Sequence, residues 1–186
     1  MPTPLKLNLG CGSDYRTGYV NVDKYGDPDI LLDLEEYPWP WEDNSTTRVI
    51  LKHVLEHLGK TTEIYFGIIR EIYRICTAGA RIDIIVPHPR HDTFLDDPTH
   101  VRTVTPASLH LSSKSKNKEW QMAGSSNTPL GLYLDVDFEV VDVNWVLDPV
   151  WVELLRDKDE IYISQAMKRY NNVVVEIQMI QKVVKQ

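Results

Sequence analysis

Cysteine is scarce in this chain, and its placement excludes a disulfide framework: Cys11 and Cys76 are far apart and both lie in apolar settings, as suits a reducing compartment. Long apolar runs are missing as well. No window approaches the roughly 20 apolar residues of a membrane span, and Met1 to Leu9 has no basic segment leading into an apolar one, so neither anchor nor leader is expected. Positive charge is outnumbered, with 20 Lys and Arg against 27 Asp and Glu for a formal net charge of -7, which argues against the broad basic surface a phosphate backbone requires. Repeats and low-complexity stretches are absent too. Together these absences predict a cytoplasmic protein whose partner is a small molecule, with no nucleic acid and no membrane involved.

What is present suffices for one core: 186 residues, 42% of them hydrophobic, predict a single domain over 1–186. Leu5 to Leu9, Tyr19 to Asp23 and Asp29 to Asp33 are short apolar or alternating runs punctuated by Gly, Asp and Pro, and Arg48 to Lys52 reads as a fourth strand. Thr61 or Thr62 caps a helix whose Ile64, Ile68, Ile72 and Cys76 recur at i, i+4 spacing, and Gly79 is placed to end it. Ala80 to Val86 is then a buried strand stopped by Pro87, and strand, helix, strand in this order predicts a parallel unit with a right-handed crossover. The stretch 88–131 lacks periodicity apart from a helix at Pro106 to Leu111, and its polar Ser112 to Glu119 run reads as a mobile loop. A substrate or lid region is expected there. Phe138 to Val146 alternates as a strand, Asp148 with Pro149 opens a helical insertion over 148–171, and Asn172 to Val184 is the last strand.

Three strand ends carry the chemistry. The first runs into Gly10-Cys11-Gly12, where residues without a Cβ let a ligand approach the backbone outside the carboxyl end of a parallel strand. The second ends in Asp23, able to accept both hydroxyls of a ribose, and the third in Asp33, suited to an exocyclic amine. In series they make a nucleoside site; taken singly, each is also an ordinary turn residue or cap.

Over most of the first 110 residues the chain resembles the type 11 branch of class I S-adenosylmethionine (SAM) dependent methyltransferases. The resemblance runs through Leu7-Asn8-Leu9-Gly10-Cys11-Gly12, Asn21-Val22-Asp23, the stretch Asp33 to Asn44 with Pro38-Trp39-Pro40, His53-Val54-Leu55-Glu56-His57-Leu58, and Arg70 to Pro87. It implies SAM as cofactor. Gly10, Cys11 and Gly12 would lie against the methionine portion and ribose, with Leu9 behind them; Asp23 would hold the ribose hydroxyls, with Lys24 beside it; Asp33 and Leu34 would border the adenine; and His53 would face the methionine end. The chain departs from the branch at Asn8, where an acid is usual, and at Asp14, where a third glycine is usual. That missing glycine also disfavours a dinucleotide dehydrogenase.

Only Ser13 to Gly18 and Lys24 to Pro28 separate the first three strands, whereas a helical crossover needs about a dozen residues. The fold class expected is therefore α/β: a three-layer Rossmann-like methyltransferase sheet, mostly parallel with a C-terminal antiparallel strand pair, its first crossover helices reduced. Cover for the exposed strands is sought in Trp39 and Trp41, which could instead wall the adenine, in the 148–171 insertion, or in a second copy as a homodimer. After the fifth strand, His88, His91 and His100 are candidate general bases for a hydroxyl acceptor, each also readable as a loop residue. With Asp92, Asp96 and Asp97 they meet no strict ligand spacing, and no metal is expected. Glu56 and His57 read as first-turn helix residues. The function expected is methyl transfer from SAM to a small polar molecule; the alternatives are a non-catalytic nucleoside-binding or protein-binding homologue and, third, a metal-dependent hydrolase.

Overall fold

Alternation along the strands decides which way the sheet faces. The computed structural model describes residues 4–185; residues 1–3 of the segment read for a leader lie outside them. In β1 (Leu5–Leu9), Leu7 and Leu9 have 0% exposure and point into the core, while Lys6 and Asn8 point the other way. Around it the sheet adds β2 (Val20–Asp23), β3 (Ile30–Leu31), β4 (Thr46–Lys52), β5 (Cys76–Pro87), β6 (Phe138–Leu147) and β7 (Val174–Val183), in the spatial order β3-β2-β1-β4-β5-β7-β6. The pairs from β3 to β5 are parallel; β7 runs antiparallel between β5 and β6. The expected α/β class, mostly parallel with an antiparallel C-terminal pair, is the one observed, although β3 is shorter than the Asp29 to Asp33 run suggests.

Helices gather on the face where Leu7, Val49, Leu51, Ile82, Ile84 and Met179 lie. There α1 (Thr62–Ile75) packs Ile68, Ile72 and Ile75 into the core, and Thr61 caps it by accepting the Ile64 N–H. Beside it lie α3 (Pro106–His110), α4 (Lys114–Met122) and α5 (Leu130–Leu134), with Leu109 and Leu134 buried. The opposite face is polar: Arg48 and Arg81 both pair with Asp83, and Asn144 bonds Gln178. Its outer layer shrinks to the 13–18 loop, as the short crossovers require. Leu31 of β3 stays 66% exposed there, so the cover sought in the 148–171 insertion is not supplied at that strand. That insertion forms α6 (Pro149–Leu154) and α7 (Glu160–Arg169), which close over their own small core of Leu155, Ala166 and Val173. Trp39 and Trp41 are buried in the main core on the helical side, edge to face at 6.0 Å.

Three expectations change. Gly79 does not end α1: the helix stops at Ile75, Cys76 is already extended, and Gly79 takes φ +77° inside β5, where the register with β4 slips. Its left-handed freedom serves a bulge. The Ser112 to Glu119 run is not a loop but the start of α4, a helix without an apolar face that is pinned by fully buried Asn117, which donates to Leu111 O and accepts from Leu132 N. Glu56 and His57 belong to a short 3-10 turn (Leu55–His57) ahead of α1, and Glu56 is 1% exposed, a buried carboxylate and not a solvated first-turn acid. No helix among the described residues is long and apolar enough to cross a membrane.

Candidate functional site

The turn after β1 is built around close backbone approach. Gly10 has φ +67°, and a Cβ there would stand 2.5 Å from Val54 Cγ2, so the loops following β1 and β4 touch where only glycine fits. Asp23, at the end of β2, accepts the Gly12 N–H at 2.8 Å through one oxygen and the Tyr25 N–H at 3.0 Å through the other. Asp33 accepts the Glu35 N–H at 3.0 Å and lies 3.5 Å from Lys24 Nζ. Between these strand ends opens a cleft of about 170 Å³ walled by Gly10, Asp23, Lys24, Leu32, Asp33, Leu34, His53, Val54, His57 and Leu58.

Of the residues expected to hold the cofactor, Leu9, Cys11 and Gly12 are not in that wall. Leu9 is wholly buried, Cys11 is buried with its thiol pKa pushed up by desolvation, and Gly12 offers its N–H to Asp23. The two departures at Asn8 and Asp14 shape the loop. Asn8 Nδ2 donates to Asp14 O at 2.7 Å and to Asn21 Oδ1 at 3.0 Å, and Asn21 Oδ1 also takes the Arg16 N–H. Asp14 pairs with Arg16 and Lys52, which hold its carboxyl below the usual range. An amide and a carboxylate thus anchor a six-residue loop where a helix would otherwise pack. Trp39 Nε1 donates to Leu34 O, so the indole stands behind the cleft wall and does not line it.

A second cavity of about 420 Å³ adjoins the first and shares His53 and His57 with it; Glu56, Pro87, Thr93, Asp97, His100, Val146, Val175 and Glu176 complete its wall. His53, at φ +55°, points Nδ1 toward Glu56 Oε1 at 3.5 Å and Nε2 toward Glu176 Oε2 at 3.1 Å. Glu56 first, and Glu176 after it, raise the His53 pKa against partial burial. The Glu56 carbonyl accepts the N–H groups of Val101 and Arg102 at 2.9 and 3.2 Å, which draws the segment after β5 across to the turn after β4. His100 follows: its Nδ1 donates to Phe94 O at 2.8 Å, its ring stacks on Phe94, and the His57 ring centroid is 4.6 Å away.

The other two histidines of that segment are outside this wall. His88 accepts the Arg90 N–H and meets the Trp145 edge, with its pKa lowered by burial. His91 caps α2 (Asp92–Leu95) by accepting the Thr93 N–H at 3.1 Å and lies 3.4 Å from Asp148. Glu176 went unnoticed in the sequence because its strand alternates like any other; the β5 register, which sets Glu176 opposite Pro87, brings it here.

Neither a protein-family model nor a curated protein sequence matches this chain. Solved structures do. A SAM dependent methyltransferase from Archaeoglobus fulgidus superposes with a TM-score of 0.62 over 97% of this chain and 86% of its own, at 19% identity. The fold is that of SAM-dependent methyltransferases. The 1,6-didemethyltoxoflavin-N1-methyltransferase of Burkholderia thailandensis, solved with bound 1,6-didemethyltoxoflavin and S-adenosylhomocysteine, shares the fold with this chain at TM-score 0.53 and 13% identity, over 98% of this chain and 72% of that one. So does the [4+2]-cyclase SpnF, at TM-score 0.55 and 12% identity over 98% and 76% of the two chains. A methyltransferase fold can therefore host a cyclase, and the chemistry has to be argued from side chains.

Proposed function

We propose that this chain is a SAM-dependent methyltransferase of the type 11 kind, acting on a small polar molecule. The observation that carries the reading is the pair of adjoining cavities at the carboxyl ends of the parallel strands, one with nucleoside-binding chemistry and one with a polar wall. The first fits SAM by its polar groups: each Asp23 oxygen, holding one backbone N–H, keeps a lone pair for a ribose hydroxyl, and Gly10, packed without a Cβ against Val54, keeps the two loops together beside it. When bound, SAM supplies an electrophilic methyl group carried on a sulfonium.

In this reading Asp23 takes the ribose, Asp33 faces the adenine amine with Leu32 and Leu34 against the base, and Lys24 steadies Asp33 by charge. Gly10 lies against the methionine portion, and His53 and His57 stand at the seam between donor and acceptor. The acceptor occupies the second cavity, whose Thr93, Asp97 and Glu176 suit a molecule with several hydroxyls. Among the three histidines proposed to serve it, His100 lines this cavity. If the chain forms a homodimer, exposed Val150, Leu154 and Ile161 on α6 and α7 supply the surface, and light scattering showing a monomer would remove that part.

The test is calorimetric titration with SAM and S-adenosylhomocysteine, followed by labelled SAM with a panel of polyhydroxylated metabolites. Binding of both nucleosides and label transfer to a panel member are expected. A folded chain that binds neither would end the reading.

A further inference from the structure

Glu56 is 1% exposed, and neither carboxylate oxygen has a hydrogen-bond partner among the described residues. A buried polar group without a partner costs free energy until one is supplied. His53 answers that need in part: its Nδ1 is 3.5 Å away, long for a hydrogen bond, and its Nε2 is turned to Glu176. Two further nitrogens converge on the same point, since ligand atoms of Glu56, His57 and His100 all lie within 4.8 Å of one another.

Both imidazoles are oriented from behind. A carbonyl can only accept, so His100 Nδ1 carries the proton it gives to Phe94 O, which leaves the lone pair on Nε2. The Thr99 hydroxyl spends its one proton on Asp97 Oδ1 at 2.6 Å, so it must accept from His57 Nδ1 at 2.9 Å, and there too Nε2 is free. Imidazoles that ligate metals are held in this way, with the second ring nitrogen donating to a fixed oxygen.

We infer that Glu56, His57 and His100 form a binding site for a first-row divalent cation of the zinc, manganese or iron(II) kind, at the seam of the two cavities. Two imidazoles and a carboxylate suit such ions better than the all-oxygen preference of magnesium or calcium. Ligand atoms about 2.1 Å from one ion are at most about 4.2 Å apart, so the 4.8 Å bound asks only for small side-chain rotations. The loop read alone offers no such set, because Glu56 and His57 come from the turn after β4 and only His100 from the segment after β5.

Three protein ligands leave positions open toward the acceptor cavity. A cation held there would acidify a bound hydroxyl, as zinc acidifies bound water, so that the hydroxyl would give its proton to solvent, its oxygen would bond the methyl carbon, and the carbon–sulfur pair would leave with sulfur. That role rests on the proposed methyl transfer, and the cation site itself does not.

The experiment uses untagged full-length chain stripped with chelator and titrated separately with Zn²⁺, Mn²⁺ and anaerobic Fe²⁺, without SAM or acceptor. One ion per chain is expected for at least one metal, weakened by about 100-fold in Glu56→Gln and His57→Gln and about 10-fold in Thr99→Val, which replaces no ligand but removes the hydroxyl that orients His57. His88→Gln should bind as the parent does. Circular dichroism establishes that each variant is folded, and Thr99→Val carries the test if a ligand variant is not. Absence of stoichiometric binding for all three metals, or binding indifferent to these changes, overturns the inference. A chain that takes up the cation but gives no heat with SAM keeps this site and loses the methyltransferase reading; heat with SAM and no cation uptake does the reverse.

Discussion

At the scale of single residues, Asp23 is the position on which cofactor recognition turns. Its carboxylate holds Gly12 and Tyr25 by their N–H groups and has one lone pair per oxygen remaining for a diol. Asp23→Ala is expected to weaken SAM binding by about 2 to 4 kcal/mol in a chain that still folds, since two charge-assisted hydrogen bonds are lost; calorimetry on the variant checks this. Gly10→Ala should behave differently. It sets a Cβ 2.5 Å from Val54 at a positive φ, so a loss of about 1 to 3 kcal/mol of stability is expected in thermal melting, together with weaker SAM binding. Both positions were legible in sequence because glycine and aspartate at strand ends are local signals. Glu56 was not. Nothing in Val54-Leu55-Glu56-His57 distinguishes a solvated acid from one that is 1% exposed, and the segment that meets this turn, with Val101 and Arg102 bonded to the Glu56 carbonyl, is distant in sequence.

At the scale of elements, the segment that replaces the crossover from β3 to β4 is clamped to α1 through Arg74, which pairs with both Glu71 and Asp43. Glu71 accepts the Trp39 N–H at 2.7 Å, and Arg74 bonds Glu71, Asp43 and the carbonyls of Trp39 and Trp41. Arg74→Ala leaves a buried carboxylate and two carbonyls short of partners, and a loss of about 2 to 4 kcal/mol in urea unfolding is expected. The pH dependence follows from the Arg74 guanidinium holding the Glu71 carboxyl below its ordinary range. A carboxyl depressed in the folded state stabilises fully above its unfolded value of about 4.3, and the contribution fades as pH falls through the folded value. The gap between parent and variant should therefore be widest near neutrality and narrow below about pH 4. An equal gap at every pH would mean that lost packing, not charge, accounts for the effect. The strands and α1 were readable from their periods, whereas α4 was not: it has no apolar stripe, and what orders it is one asparagine whose burial depends on α5.

For the molecule as a whole, the cofactor reading makes a thermodynamic claim. A ligand that binds only the folded chain stabilises it by about 2.7 kcal/mol at 100 times its dissociation constant, which for a domain of this size is about 5 to 10 °C in Tm. SAM and S-adenosylhomocysteine should each raise Tm by that amount, and a scan unmoved by either would count against the nucleoside cleft. The order in which the sheet is assembled carries a further consequence. β7 lies between β5 and β6 yet follows both along the chain. A nascent chain therefore emerges with two unpaired strand edges awaiting the same late insertion, and Glu176 arrives with it. Until then the edges of β5 and β6 are open templates for wrong partners. Acquisition of the site's chemistry and release from that hazard thus fall together, in a single closing event.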